Sequence, residues 1–310
     1  DRRRLRCRAR SIKLTGQLIP IINKSNLMTI NDNTIIFGHS PDADDAFMFY
    51  AMEFKHVEIP GHSVAHHMED IESLNVLAET GKLPVTAISA ARYPDVAKHY
   101  RIMSCGSSVG RNYGPMVVSV EPMTESDLEG KRVAVPGRFT TSWLLFQIFG
   151  PKNCVPVFVD FDDVGPAIED GRADAGILLH EGQILYEKLG FHGIMSLGEK
   201  WHEATGLPIP LGVDLVSRHI GEELAQTIVD ASLASINYAR NHEVEALEYA
   251  LGFGRRIDPA DGKIFVRMYV NDDTVDMGQE GRSALEKLFS MAVERGVLDE
   301  LPELDIIQAK

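Results

Sequence analysis

The sequence predicts an α/β protein of two lobes, on three observations. Short apolar runs that end in glycine, proline or polar residues alternate with helical stretches from Thr34 to Leu179. The pattern restarts near Pro122, and beyond Arg218 it is helical. Thr205 to Gly212 has turn chemistry without periodicity, and with Pro115 to Val120 it reads as one of two crossings between lobes. Residues 31–118 and the mostly helical 213–310 then form one lobe and 119–212 the other, with a cleft between them.

Residues 1–30 stand apart. The first 27 hold six Arg and two Lys against one Asp, and Leu18 to Ile22 is broken by Pro20. That run falls short of the roughly 7–15 apolar residues of a signal-peptide core. Met28 directly precedes the first good strand, so the expectation is a start at Met28 after disordered or translated upstream sequence. An Arg-rich, acid-poor transit peptide is the alternative.

Thr34 to Gly38 reads as the first strand, and Ser40 or Asp44 can cap the helix that follows. Ser40 and the amides at that helix start equally suit a ligand at the strand's end, and both readings stand. His62, His66 and His67 lie in strand-or-turn sequence without a zinc pattern and are expected to be solvated. Glu69 to Leu77 starts a helix. Pro84 to Ala91 reads as a strand carrying Ala87 and Ile88 to an end at Ser89, with a helix from there to Tyr100.

The glycine-rich Gly106 to Pro115 lacks the Lys-Ser/Thr of a phosphate loop and reads as a hinge or ligand-lining loop. Its Arg111 is expected to pair a substrate carboxylate. In the second lobe Arg132 to Val135 and Val155 to Phe161 are strands. Thr140, Thr141 and Ser142 stand at a helix start, either as a plain cap or as an anion site built of hydroxyls and free amides. Gly176 to Leu179 is a short strand buried on both faces, and the chain then turns polar at His180-Glu181-Gly182. Ligands of open α/β sheets bind outside the carboxyl ends of the strands, so His180 is the candidate base.

Of 310 residues, 44% are hydrophobic and 25% charged, as in an ordinary globular protein. The net charge of −14 hides a sharper balance, because the chain beyond residue 27 holds 23 basic against 44 acidic residues. That field disfavours nucleic acid and anionic membranes, and an anionic substrate must find local donors. Cys7, Cys105 and Cys154 have no metal spacing, and a reducing compartment, the cytoplasm, is the simplest reading. No run of about 18 apolar residues predicts a membrane span.

Laid out in this order, the motifs resemble the 1,4-dihydroxy-6-naphthoate synthase family of the futalosine route to menaquinone. The resemblance rests on Ser40-Pro41 with Asp45 and Phe47, Glu69 to Asn75, Leu83-Pro84 to Ser89, Gly110-Arg111 and Gly114-Pro115. It continues through Ala134 to Arg138 with Thr140-Thr141, His180-Glu181, Trp201 with Thr205 to Gly212, and Tyr269-Val270-Asn271 with Gly278. It implies a periplasmic-binding-protein-like fold (type II) without metal or organic cofactor. It further implies a small carboxylate substrate, cyclic dehypoxanthinyl futalosine, cleaved at a carbon–carbon bond with loss of a ribose-derived three-carbon fragment. The family's base maps to His180 and its substrate contacts to Ala87, Ile88, Ser89, Thr141 and Ser142.

The family reads Ser-Pro-Cys-Pro-Asn-Asp-Thr-Phe where this chain has Ser40 to Phe47, which places Asp44 at the asparagine of the substrate wall. Its residue after His-Glu is commonly Ser and is Gly182 here, and a basic residue expected before Ile88 is Ala87. Two rival readings are a non-catalytic solute-binding protein and a chorismate dehydratase of the same route. The first predicts a secretion signal or lipobox cysteine, and neither is found; Pro210-Leu211-Gly212 with His180-Glu181 favours the synthase over the second.

Overall fold

A computed structural model describes residues 33–180, 182–253 and 258–310. The expectation for residues 1–30 lies outside the described residues. The chain begins with β1 (Thr34–His39), α1 (Ala43–Glu53), β2 (Ser63–Met68), α2 (Ile71–Ala78), β3 (Val85–Ser89), a 3₁₀ turn (Ala90–Arg92) and α3 (Tyr93–Val96). It continues with β4 (Tyr100–Met103) and β5 (Ser108–Gly110), then leaves this half at β6 (Met116–Ser119). Next come β7 (Arg132–Val135), α4 (Thr141–Phe149), β8 (Val155–Phe158), α5 (Val164–Glu169), β9 (Ala175–Leu178), α6 (Gly182–Leu185), β10 (His192–Ser196) and α7 (Leu197–Thr205). The return runs through β11 (Ile209–Ser217), α8 (Glu222–Asn241), α9 (Glu243–Ala250), α10 (Pro259–Tyr269), α11 (Asp272–Val275), α12 (Gly278–Glu294) and β12 (Ile306–Ile307). Among the described residues no helix is long and apolar enough to cross a membrane.

Two sheets result. The larger has the order β12-β4-β11-β3-β1-β2, with β5 also pairing β11; the smaller has the order β10-β6-β9-β7-β8. In the larger sheet β1 is parallel to β2 and β3, while β11 is antiparallel to β3, β4 and β5. In the smaller one β7 is parallel to β8 and β9. The carboxyl ends of β1, β3, β7 and β9 lead to Ser40, Ala90, the start of α4 and His180, where binding sites of open sheets form.

The second half of the segment read as a crossing, Ile209 to Gly212, opens β11, a nine-residue strand in the middle of the larger sheet. Pro208 and Pro210 mask its pattern in the sequence. Pro210 is accommodated because the pairing with β5 shifts register between Pro210 and Gly212, which spares a ladder bond. The helix expected to reach Tyr100 stops at Val96, and Tyr100 opens β4.

His67, expected in solvent, is buried, and the side chain of His66 is only 8% exposed. Strand β2 carries His66 against Phe37, Phe49 and His39, where burial lowers its pKa from 6.5 to about 3 and keeps it neutral. His39 Nδ1 lies 2.8 Å from the Ser40 carbonyl and Nε2 2.9 Å from His66 Nδ1. The carbonyl can only accept, so His39 donates from Nδ1. This imidazole pair backs the loop at the end of β1.

Candidate active site

A cavity lies between the two sheets. The larger sheet's half contributes Ser40, Asp44, Asp45, Ala87, Ile88, Ser89, Ser107 and Asp214 to its wall; the smaller's contributes Thr140, Thr141, Ser142, His180 and Gln183. Phe265 and Tyr269 of α10 close one side. Nine of the ten residues expected at the site, all but Arg111, therefore line one cavity.

His180 follows β9 with φ 46°, a left-handed backbone that side-chain-bearing residues rarely adopt. Such strain costs about 1–3 kcal/mol and persists where the surroundings dictate it. Here Gln183 dictates it: its backbone N–H and its side-chain Nε2 both donate to the His180 carbonyl, at 3.3 and 2.9 Å. The imidazole, 22% exposed, sits edge-on to Phe161 at 4.8 Å. Its Nδ1 lies 3.5 Å from Oδ2 of Asp42, a carboxylate that is itself buried. One ring edge is thus oriented by an acid while the ring faces the cavity.

Asp42 belongs to a short polar chain. The Ser40 hydroxyl reaches Asp42 Oδ2 at 2.8 Å and Asp45 Oδ2 at 2.6 Å, and the Ser40 amide also donates to Asp45. One hydroxyl proton cannot serve two ionised carboxylates. Burial raises the pKa of Asp45, opposed by His39 and Ser40, and a proton held there relieves the conflict. The same logic applies to Asp214, whose carboxyl burial drives well above the usual range with Asp45 adding to the effect. Among the described residues no Lys or Arg lines the cavity.

Donors come instead from the backbone and from Ser89. Asn75 clamps Ser89 at two points, accepting from its amide at 2.8 Å and donating to its hydroxyl at 3.0 Å. The Ser89 hydroxyl therefore accepts one bond and keeps its own proton to offer. At the start of α4 the Thr140 hydroxyl donates to the Gly137 carbonyl and accepts from the Trp143 amide, as an N-cap. The Thr141 hydroxyl donates to the Leu211 carbonyl at 2.7 Å and accepts from the Ala91 amide at 3.1 Å. It ties α4 to β11 and to the turn after β3. The first two amides of α4, those of Thr141 and Ser142, have no partner within the helix and are the donors available to an anion. Thr140→Ala is expected to destabilise the fold by about 1–2 kcal/mol, measured by denaturant unfolding; an unchanged midpoint would deny the cap any weight.

The structure does not bring Arg111 to the cavity. Its guanidinium makes a two-point bond to Asp273, at 2.8 and 2.7 Å, and a third to Glu280 at 2.7 Å. These partners keep it charged and fasten the loop after β5 to α11 and α12. A glycine-rich loop with one arginine gave no sign of which carboxylate it would meet. Sequence reasoning also missed Asp42, Asn75, Gln183 and Asp214 as site residues. Asp214 left a signal, a single acid inside the apolar run Val213 to Val216.

Comparison with known proteins adds the context. Residues 35–294 match a protein-family model described as menaquinone biosynthesis. The 1,4-dihydroxy-6-naphtoate synthase of Thermus thermophilus is 38% identical over 260 residues, covering 84% of this chain and 94% of that protein. The protein of the same name from Streptomyces coelicolor is 33% identical over 276 residues, covering 87% and 96%. A crystal structure from Archaeoglobus fulgidus superposes with a TM-score of 0.82 at 41% identity, covering 86% of this chain and all of that one. The alkanesulfonate-binding protein of Xanthomonas axonopodis pv. citri is only 11% identical, yet its TM-score of 0.66, with 91% of this chain covered, gives the same periplasmic-binding-protein-like fold.

Proposed function

The chain belongs to the menaquinone-biosynthesis family, and from that premise we propose that it is an enzyme of 1,4-dihydroxy-6-naphthoate synthesis. It acts as a carbon–carbon lyase in the cytoplasm. Its substrate is a small carboxylate, cyclic dehypoxanthinyl futalosine, from which it releases a three-carbon dihydroxyacetone fragment. Residues 31–118 with 213–310, and 119–212, act as the two lobes that enclose it.

The observation that carries this reading is His180, held in a left-handed turn at the end of β9, backed by Asp42 and facing the cavity. Forming an aromatic ring as a carbon–carbon bond breaks requires removal of a proton. His180 takes that proton, and the Asp42 carboxylate stabilises the imidazolium that results. The amides of Thr141 and Ser142 and the Ser89 hydroxyl hold the substrate carboxylate or an oxyanion as it develops. Ala87 and Ile88 supply backbone and apolar wall beside them. Ser40 and Asp44 line the opposite side, and the Thr140 cap fixes the start of α4.

Incubating the purified protein with cyclic dehypoxanthinyl futalosine and weighing the products by mass spectrometry tests the proposal. The expected result is 1,4-dihydroxy-6-naphthoate together with the three-carbon fragment. Recovery of the compound unchanged, where an authentic synthase converts it, overturns the reading.

A further inference from the structure

Three polar groups facing the cavity take no part in the chemistry above. Asp214, on β11, is 4% exposed, with Val213, Leu215 and Val216 buried around it. Its carboxyl packs on Gly106, whose φ is +85°; a Cβ there would stand 2.2 Å from Oδ2, so glycine leaves room for the acid. Ser107, 1% exposed, follows directly, and its hydroxyl has no hydrogen-bond partner. From the smaller sheet's half comes Gln183, 6% exposed. Its Nε2 is committed to the His180 carbonyl and the Tyr269 hydroxyl, which fixes the amide's orientation and leaves Oε1 buried and unpartnered.

Buried polar groups without partners are costly, and two of them, Ser107 Oγ and Gln183 Oε1, on the same cavity as the Asp214 carboxyl call for a ligand that pairs them. A carboxylate fits badly, since Gln183 Oε1 can only accept and Asp45 and Asp214 stand close by. An apolar group would strand both, beside a buried carboxyl. A hydroxyl fits, because it donates to one neighbour while accepting from another. We propose that Asp214 and Ser107, with Gln183 Oε1 from the other half of the cavity, form a polyol-reading pole that hydrogen-bonds the hydroxyl-bearing, ribose-derived part of the substrate. This rests on the function proposed above, whose substrate carries such a part.

Burial holds the Asp214 carboxyl above its usual range, which favours the protonated form that both donates and accepts, as an amide does. Cys105 and Asp45 are the titratable groups coupled to it. Asp214 is a specificity residue and not part of the proton transfer.

Steady-state kinetics with cyclic dehypoxanthinyl futalosine, melting temperature, and calorimetry with 1,4-dihydroxy-6-naphthoate, which lacks the polyol, test this together. D214L is expected to raise KM about tenfold or more, and S107A less. D214N, which keeps a donor and an acceptor, is expected to stay within about threefold. The D214L melting temperature should equal or exceed that of the wild type, since a buried polar group is lost, and its affinity for the naphthoate should be unchanged. A wild-type KM in D214L, a fall in its melting temperature alongside activity, or equal loss of naphthoate affinity overturns the inference. If the wild type itself fails to convert the compound, the functional reading falls and this inference with it; if it converts and D214L does too at unchanged KM, only the inference falls.

Discussion

His180→Ala should lower kcat by about 10²–10⁴-fold while the protein folds and binds substrate as before. The size of the loss follows from the role: a side chain that moves a proton in the transition state affects turnover more than ground-state binding. Stability should change little, because the imidazole is 22% exposed and its ring contacts with Phe161 and Phe265 are edgewise. Alanine even retains the backbone strain at φ 46°, so the turn is tested without being removed. Single-turnover kinetics beside a melting curve separate the two effects. Turnover within a few-fold of wild type would take His180 out of the mechanism.

The second large effect is expected at Asp42. Its Oδ2 lies 3.5 Å from His180 Nδ1, so in the proposed mechanism this carboxylate would stabilise the imidazolium formed when His180 takes the proton. At an effective dielectric near 20 the pair interacts by a few kcal/mol, so Asp42→Asn should cost roughly 10²-fold in kcat with KM little changed. Asparagine keeps the shape and can still accept from Ser40, which the change to alanine would not allow. A structural role predicts something different: a lower melting temperature and a KM that rises with the loss of kcat. Equal kcat in D42N and wild type would leave His180 acting without its acid.

Much of this site could be read from the sequence, and what could not has physical reasons. His180 was legible because four apolar residues give way abruptly to it at the end of a strand, a change of period that marks a sheet edge. Ser89 and the Thr140–Ser142 run were legible for the same reason, as strand end and helix start. Asp42 was not, because its meaning lies in a partner 138 positions away, and the stretch from Ser40 to Asp45 offered four acids or hydroxyls of equal merit. Asn75 sits on a helix and acts on β3, again a contact that no local pattern encodes. Strand β11 was hidden by Pro210 and by Pro208 just before it, and β12, with two residues, is too short to show a period. Arg111 had the right chemistry in the wrong place, since Asp273 meets it only through tertiary folding.

The Leu211 carbonyl holds the Thr141 hydroxyl, and with it the start of α4, while Asp214 stands three residues further along the same strand. An extended chain rises about 3.3 Å per residue, so these two reference points lie about 10 Å apart. Under the proposed assignment the anion-holding end of the cavity is referenced to Leu211 and the hydroxyl-reading end to Asp214, and both are marks on β11. The length of ligand that can touch both ends is gauged by a single β-strand acting as a ruler. Its graduation is fixed by the hydrogen-bond ladders to β3 and β5.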